Sequence, residues 1–542
     1  MIELSMDTSV IDGNNRTTHG FIPLLRMLVV LSCYLPSLPL FTDTFQLPKW
    51  YMFVLCSALY VLCLNFSKRS LRGKTPDSSL REWYIILVGM GCAECLYVFP
   101  KMVFFGCNSI GEQGTFDNPA GLASAMTLTL PMAVLRMYEY KSLFRRIING
   151  IPVLLMVVVL ILTKSRTGLV CLALYVVVMA FVVCGRYLRR KAYRYMVSSV
   201  ITTIIALGMI SYISTHKQDS TSGRAFILMR SWELVMQRPF AGYGANGFDR
   251  EYMHQQAEYL RRNSDSSYAM LADEVRHPLN EFIFVWVNFG LLGLLALTGL
   301  LSFPLVHHIR SKDTYSLLLS LSVVGLAVFC CFSYPLHYPL SWLVLLLSLA
   351  GVVGKRLSRL KRKRSARYIV LASCCLVSFI IIYNAVYEWK WNYAYRHYYK
   401  RRDVRTVDKY EELYSHFRDD KYFLYNYAFV AYKMHDAKRA YRLMGECMKY
   451  RRGYNTELLV GDICRKLGYY DEAILHYDEA SHMCPSRFAP LEGLHQVYDA
   501  VGDSVKKSRI ADEIATKKVK VLSSDVIRIK RSAKPTTEKD LP

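Results

Sequence analysis

The feature that most constrains this sequence is a series of apolar runs, each close to the length that crosses a lipid bilayer. A membrane-spanning helix needs about 20 mainly apolar residues, and within lipid a helix satisfies its own backbone hydrogen bonds. The runs therefore predict an all-α, polytopic membrane domain with about eleven transmembrane helices, or twelve in an alternative count. The predicted spans are 21–40, 50–66, 83–105, 119–136, 147–163, 167–185, 196–214, 279–306, 315–333, 335–353 and 367–387.

The chain is also strongly basic, with a formal net charge of +25. Such a charge suits either a nucleic acid or a membrane surface as partner. No basic run is interleaved with aromatic residues, as a single-strand binder would require. The positive charge lies instead in short loops between apolar runs, so we expect membrane lipid and not nucleic acid as the partner.

The positive charges alternate along the loops. Loops 67–82, 137–146, 186–195 and 354–366 are rich in Lys and Arg, whereas loop 106–118 contains neither. Because Lys and Arg accumulate on the cytoplasmic side, we predict a bacterial inner-membrane protein with a cytoplasmic N-terminus. The large loop 215–277 and everything after residue 388 are then periplasmic.

The C-terminal part changes in character. We predict a membrane domain over 1–387, a periplasmic helical domain over 388–521 and a disordered tail over 522–542. The helical domain is interpreted as tetratricopeptide-like, with a generic helical hairpin domain as the alternative and a protein as its possible partner. The residues that fit the repeat pattern are Gly461, Gly468, Tyr470, Ala473, Tyr477, Ala480 and Pro485.

The polar loop ends at HPLNE, His277 to Glu281, directly before a long apolar run. Pro278 suits the first position of a helix, and a helix N-terminus with unpaired N–H groups favours a phosphate. Asn280 and Glu281 would then share a face with His277. The alternative is that His277 only caps the helix and Glu281 only complements its dipole.

Two arginines lie on the same predicted side of the membrane, Arg166 in SRTG and Arg224 in SGRAF. Guanidinium groups suit diphosphate oxygens. The sequence has no Asp-x-Asp pair, so we predict neither a metal nor a cofactor. Nucleotide sugars are not expected outside the cytoplasm, and the predicted donor is therefore a lipid-linked diphosphate glycan.

GYGANG, Gly242 to Gly247, formally fits a dinucleotide-binding pattern, but no βαβ unit surrounds it. Its glycines instead favour a tight turn or a close approach of the backbone to a ligand. Tyr243 and Asn246 within it are accordingly predicted to bind substrate.

Taken together, GTFDNPAGLASAMTLTLP, SRTG, SGRAF, GYGANGF and HPLNEFIFVWVNFGLLG resemble the O-antigen ligase and polymerase superfamily, over roughly residues 20–350. The resemblance implies an inverting, metal-independent transfer from undecaprenyl diphosphate. By this resemblance Arg166 and Arg224 would hold the diphosphate and His277 would activate the acceptor hydroxyl. From the residues themselves we also predict that Asn280 binds substrate and that Glu281 orients His277 or the acceptor. Many members carry a histidine where this chain has Leu279, so Glu281 stays open as the base.

The resemblance leaves the acceptor open among lipid A core, a growing glycan and a protein hydroxyl, because family members with a periplasmic repeat tail include protein O-oligosaccharyltransferases. We expect the O-antigen ligase-like reaction first. A polytopic transporter is disfavoured because internal symmetry is lacking. A membrane scaffold would leave Arg166, Arg224 and His277 without a role.

Overall fold

The computed structural model describes residues 13–66, 76–104, 113–187, 218–311, 314–357, 364–401 and 405–533. Among these residues every long regular element is an α-helix, which confirms the predicted all-α class. The helices are α1 Gly13–Cys33, α2 Gln46–Phe66, α3 Pro76–Phe104, α4 Pro119–Tyr138, α5 Leu143–Leu162, α6 Arg166–Tyr187, α7 Gln218–Gln237, α8 Gly247–Arg262, α9 Glu281–Ser311, α10 Thr314–Phe332, α11 Pro339–Leu357, α12 Arg364–Arg401, α13 Arg405–Phe417, α14 Lys421–Lys433, α15 Ala437–Cys447, α16 Tyr454–Leu467, α17 Tyr470–Met483, α18 Ala489–Val501, α19 Ser504–Thr516 and α20 Ser524–Ser532.

Six stretches within these helices are long and apolar enough to cross a membrane: Gln46–Phe66, Leu80–Phe104, Pro119–Tyr138, Leu143–Leu162, Glu281–His307 and Ser365–Lys400. Four shorter apolar stretches, Phe21–Cys33, Arg166–Met179, Leu319–Phe332 and Pro339–Gly351, coincide with four further predicted spans. The predicted span 196–214 lies outside the described residues. The chain is thus a multi-span membrane protein, and the count of eleven stays a prediction.

The chain divides into two compact units. Unit 1 comprises Met1–Ile213 and Thr298–Trp389, and unit 2 comprises Ser214–Leu297 and Lys390–Pro542. This division differs from the predicted domains, which placed loop 215–277 with the membrane domain. Helix α12 also runs without interruption across the predicted boundary at residue 387.

Helix α4 forms the centre of unit 1: 78% of its apolar span is buried, against none of the span Ser365–Lys400. Its polar residues are accommodated locally. The hydroxyl of Ser124 donates to the carbonyl of Gly121 at 2.8 Å, and that of Thr129 donates to the carbonyl of Ala125 at 2.8 Å. Such bonds to the preceding turn satisfy these two hydroxyl donors in an apolar interior.

A buried polar network fixes the loop that enters α4. The ammonium of Lys49 donates to the carbonyl of Thr115 at 2.7 Å, and the N–H of Thr115 donates to the carboxylate of Glu94 at 2.7 Å. Both charged residues are almost fully buried. Their opposite charges and shared backbone partner make that burial tolerable. Asn118 then caps α4 by accepting from the N–H of Gly121.

In unit 2, each of the helices α13 to α19 packs against the next one along the chain. The tightest approach is made by two glycines, since a Cβ on Gly461 or Gly493 would lie 2.8 or 2.4 Å from the ring of Tyr477. Ala473 and Ala480 are fully buried beside it. The interlocking of small and aromatic residues that the repeat pattern requires is therefore present, while the tetratricopeptide assignment stays a prediction.

The predicted disorder over 522–542 is wrong for Ser524–Ser532, which form α20. Ser523 caps this helix by accepting from the N–H of Val526, and Ile529 is buried. A single apolar residue on a short, charged segment gave too weak a sequence signal. Residues 534–542 lie outside the described residues.

Candidate active site

Helix α9, which follows the HPLNE motif, is interrupted at Gly290, where φ is 65° and ψ is −163°. Essentially only glycine adopts these angles. The backbone groups freed by the break are satisfied by the segment before α8. The N–H groups of Tyr243 and Gly244 donate to the carbonyls of Val287 and Asn288, at 2.9 and 2.8 Å. In return, the N–H of Leu291 donates to the carbonyl of Pro239 at 3.0 Å.

The glycines of GYGANG make this contact possible. A Cβ on Gly242 would lie 2.6 Å from the backbone nitrogen of Gly290, and a Cβ on Gly290 would lie 2.0 Å from the carbonyl oxygen of Phe240. Asn288, which is buried, adds a side-chain bond by accepting from the N–H of Phe248 at 3.0 Å. The close backbone approach expected of these glycines is therefore made to α9.

His277 and Glu281 come together as predicted, with Nε2 of His277 3.6 Å from a carboxylate oxygen of Glu281. Nδ1 of His277 accepts a hydrogen bond from the N–H of Leu279 at 2.9 Å. The imidazole stacks on Phe284, with 4.6 Å between ring centroids. Both side chains are largely shielded from solvent, with 17% of His277 and 6% of Glu281 exposed.

The start of α9 differs from the sequence prediction. Pro278 is not the first helical residue, because Leu279 has a positive φ of 57° and the helix begins at Glu281. Asn280 caps it, since its side-chain oxygen accepts from the N–H of Ile283 at 3.0 Å. Glu281 therefore lies in the first turn, where a negative charge is favourable beside the helix dipole. Asn280, predicted to bind substrate, has this capping function in the structure.

The other predicted substrate-binding residues of unit 2 lie on the elements before α9. Arg224 is exposed in the first half of α7. The hydroxyl of Tyr243 donates to the side chain of Gln237 at 2.7 Å. Asn246 has a left-handed backbone, with φ of 63°, and its side-chain oxygen accepts from the ammonium of Lys421 at 2.8 Å. Asn246 is thus joined to the C-terminal helices.

Arg166 belongs to unit 1, where it is the first residue of α6 and is half-buried. The preceding turn contains Lys164 with a positive φ of 50°, and the hydroxyl of Ser165 accepts from the N–H of Gly168 at 3.3 Å. A Cβ on Gly168 would lie 3.3 Å from that of Ala123 in α4. Arg166 thus stands at a helix start that packs on the central helix of its unit.

Sequence reasoning missed the residues that hold the segment before His277. The carboxylate of Glu274 accepts hydrogen bonds from Arg451, at 2.5 Å, and from Asn455. The neighbouring Asp273 is paired with Arg487 at 2.6 Å. Gln256 in α8 donates to the carbonyl of Asp273 at 3.1 Å. The contacts made by Arg451, Asn455 and Arg487 join positions about 180 to 210 residues apart, and a single sequence gives no signal for such pairing.

Over the described part of the chain, no three His, Cys, Asp or Glu residues are grouped so that they could hold a metal ion.

Two comparisons with known proteins bear on this site. Residues 151–298 match the family model described as O-antigen ligase, and this range contains all seven predicted site residues. A stretch of 113 residues is 25% identical to an uncharacterized protein of Haemophilus influenzae, covering 20% of this chain and 26% of that protein. The chain thus spans about a quarter of the length of this relative.

Proposed function

We propose that this protein is a membrane glycosyltransferase acting on a lipid-linked glycan, a proposal supported by the match of residues 151–298 to the O-antigen ligase family model. In the proposed reaction, the donor is a glycan on undecaprenyl diphosphate and the acceptor is a hydroxyl on the periplasmic side. The acceptor oxygen bonds to the anomeric carbon while the bond from that carbon to the diphosphate oxygen breaks. The hydroxyl proton passes to the enzyme and the lipid diphosphate leaves.

The observation that carries this proposal is the His277–Glu281 pair beside the capped start of α9. Two proton-transferring groups 3.6 Å apart, both shielded from water, form a suitable general acid–base unit. Arg166 and Arg224 are the proposed ligands of the leaving diphosphate. Their role is electrostatic, since preorganised cations stabilise the charge that develops as the bond breaks.

The proposed acceptor is lipid A core, as in an O-antigen ligase. A growing glycan or a protein hydroxyl are the alternatives, and they are separated by deleting the gene and profiling surface glycans and glycoproteins. Loss of the whole lipopolysaccharide ladder supports a ligase. Collapse to a single repeat supports a polymerase, and unglycosylated proteins support an oligosaccharyltransferase. Unchanged profiles in all three would contradict the transferase proposal.

The diphosphate role is tested with Arg166→Ala and Arg224→Ala. Each should lower transfer by at least about 100-fold, as for other groups that stabilise transition-state charge. Lysine at either position should restore only part of the activity, because a point charge does not reproduce a bidentate fork. Matched controls are Lys164→Asn, which keeps a residue tolerant of positive φ, and Arg262→Ala, at an exposed side chain near the end of α8. Near-normal activity of both alanine variants would remove the proposed role.

A further inference from the structure

A cavity of about 370 Å³ lies in unit 2 between α8 and the turn that follows α15. One wall is formed by Arg250, Glu251 and His254 of α8, and the other includes Lys449 and Arg452. This volume falls within the roughly 300–1,000 Å³ of small-molecule sites. The cavity therefore has room for a sugar ring and not only for a single ion.

The charges on the cavity wall do not cancel. Arg250 and Glu251 neutralise each other through a 2.6 Å ion pair. Among the described residues, no carboxylate lies within ion-pair distance of Lys449 or Arg452. The hydrogen bond from His254 to Glu479 raises the pKa of the histidine, although burial and Arg452 oppose this effect. The cavity thus presents two uncompensated cations and a histidine with an increased tendency to be protonated.

The walls are held in place by contacts that do not use these cations. The N–H of Arg452 donates to the carbonyl of Asp249 at 3.1 Å. The ammonium of Lys421 pairs with Asp249 at 2.7 Å, and a guanidinium nitrogen of Arg250 donates to the carbonyl of Tyr243 at 3.2 Å. These contacts fix the backbone of both walls without engaging the side chains of Lys449 and Arg452. The two side chains are therefore available for a ligand.

We propose that this cavity binds an acidic unit of a glycan, through a carboxylate or phosphate group that pairs with Lys449 and Arg452. A guanidinium fork and an ammonium together match the oxygens of either group. The choice of a glycan rests on the proposed transferase function. The cavity lies in the same unit as the His277–Glu281 pair, on the helix that follows the glycine-rich segment.

The test measures binding directly, with no lipid-linked donor present. Purified full-length protein in detergent at pH 6.5 is titrated calorimetrically with tetragalacturonate and with its methyl ester, which has the same rings but no charge. The acid should bind at least about tenfold more tightly than the ester. The double variant Lys449→Ala/Arg452→Ala should lose about tenfold or more of the affinity for the acid, in line with charge-assisted hydrogen bonds.

Arg509→Ala is the matched control, because Arg509 is an exposed cation on α19, away from the cavity lining. It should bind the acid as the wild type does. Equal binding of acid and ester by the wild type, or unchanged binding by the double variant, would overturn the proposal. Since no transfer is measured, failure of the proposed transferase activity would leave this result standing.

Competition separates the two anionic groups. If galacturonic acid displaces bound tetragalacturonate at a lower concentration than inorganic phosphate does, the group recognised is a sugar carboxylate. If inorganic phosphate displaces it at the lower concentration, the group recognised is a phosphate on a glycan. Displacement by neither would contradict an anion site. Raising the salt concentration should weaken binding, because exposed charges are screened within about 10 Å at 0.1 M.

Discussion

The N–H of Leu279 donates to Nδ1 of His277, and this single bond affects how the ring can handle a proton. A backbone N–H only donates, so Nδ1 must be the unprotonated nitrogen. In the neutral ring the proton then resides on Nε2, the atom that faces Glu281. In this arrangement Nε2 is a donor, and the carboxylate of Glu281 is the better placed proton acceptor. The structure therefore favours the alternative that the sequence left open.

The first prediction concerns these two roles. Glu281→Gln should lower transfer by roughly 10²–10⁴-fold, the usual effect of losing a general base. His277→Asn should have a smaller effect, because its side-chain oxygen can still accept from the N–H of Leu279. Transfer is measured at saturating donor, with donor binding checked separately. If His277→Asn is inactive while Glu281→Gln retains most activity, the histidine is the base.

The second prediction concerns Gly290. Gly290→Ala should destabilise the protein by about 1–3 kcal/mol from backbone strain alone, and more because its Cβ would meet the carbonyl of Phe240. Thermal unfolding of the detergent-solubilised protein measures the effect. Gly299→Ala is the control on the same helix, since no atom lies within 4 Å of its added Cβ. Equal unfolding temperatures for the two variants would show that the break in α9 is not required.

Residue-scale prediction succeeded where neighbours in sequence are neighbours in space. The proximity of His277, Asn280 and Glu281 was predictable because a helix start follows a polar loop, whereas their roles in the site stay predictions. The position of that start was wrong, because Pro278 gives a generic N-terminal signal while Asn280 is the actual cap. The positive φ of Leu279 has no sequence signal, since leucine rarely adopts it.

Among the elements, the C-terminal helices and the loop before α9 form one connected structure. The side chains of Arg451 and Glu274 are only 8% and 10% exposed, and Glu274 lies three residues before His277. The pair Arg487–Asp273 joins the same two regions but is 41% and 53% exposed. The C-terminal helices therefore position the segment that carries His277.

The third prediction uses this difference in burial. Arg451→Ala leaves a buried carboxylate without its cation and should cost about 3–5 kcal/mol, whereas Arg487→Ala should cost about 1 kcal/mol or less. Hydrogen exchange over residues 270–280 should rise in the first variant only, and kcat should fall with it. Arg451→Lys should restore part of both. Similar exchange in the two alanine variants would contradict a positioning role for Arg451.

Some helices were predictable to within two residues from apolar runs, as for α4, predicted at 119–136 and observed at Pro119–Tyr138. Others were not, as for α12, predicted to end at 387 and observed to run to Arg401. The break in α9 was not, because a glycine inside an apolar run is ordinary in membrane helices. Its cause is a contact with Pro239 to Gly244, about 45 residues earlier, and the sequence shows the glycines but not their partner.

At the scale of the whole molecule, composition predicted a membrane part and a polar part but not which loops join which part. Ser214–Leu297 belong to the unit of the C-terminal helices, and ion pairs such as Arg261 with Glu479, at 2.6 Å, lie between the two segments. Arg and Glu are common on any polar surface, so neither residue indicates its partner. The continuity of α12 across residue 387 was likewise hidden, because its composition changes from apolar to charged within one helix.

The last prediction is the orientation in the membrane. Basic residues cluster in loops 67–82 and 354–366, and loop 106–118 has none, so the first two should face the cytoplasm. Unit 2 joins the 215–277 loop to the C-terminal helices, and both must therefore be on the same side. Alkaline phosphatase, which is active only in the periplasm, should be active when fused after residue 542 and inactive when inserted after residue 74. A reporter active only in the cytoplasm should give the opposite result at both sites. If the cytoplasmic reporter is active at the C-terminal fusion, the His277–Glu281 pair lies inside the cell. A nucleotide sugar could then reach the pair, and the argument for a lipid-linked donor would no longer hold.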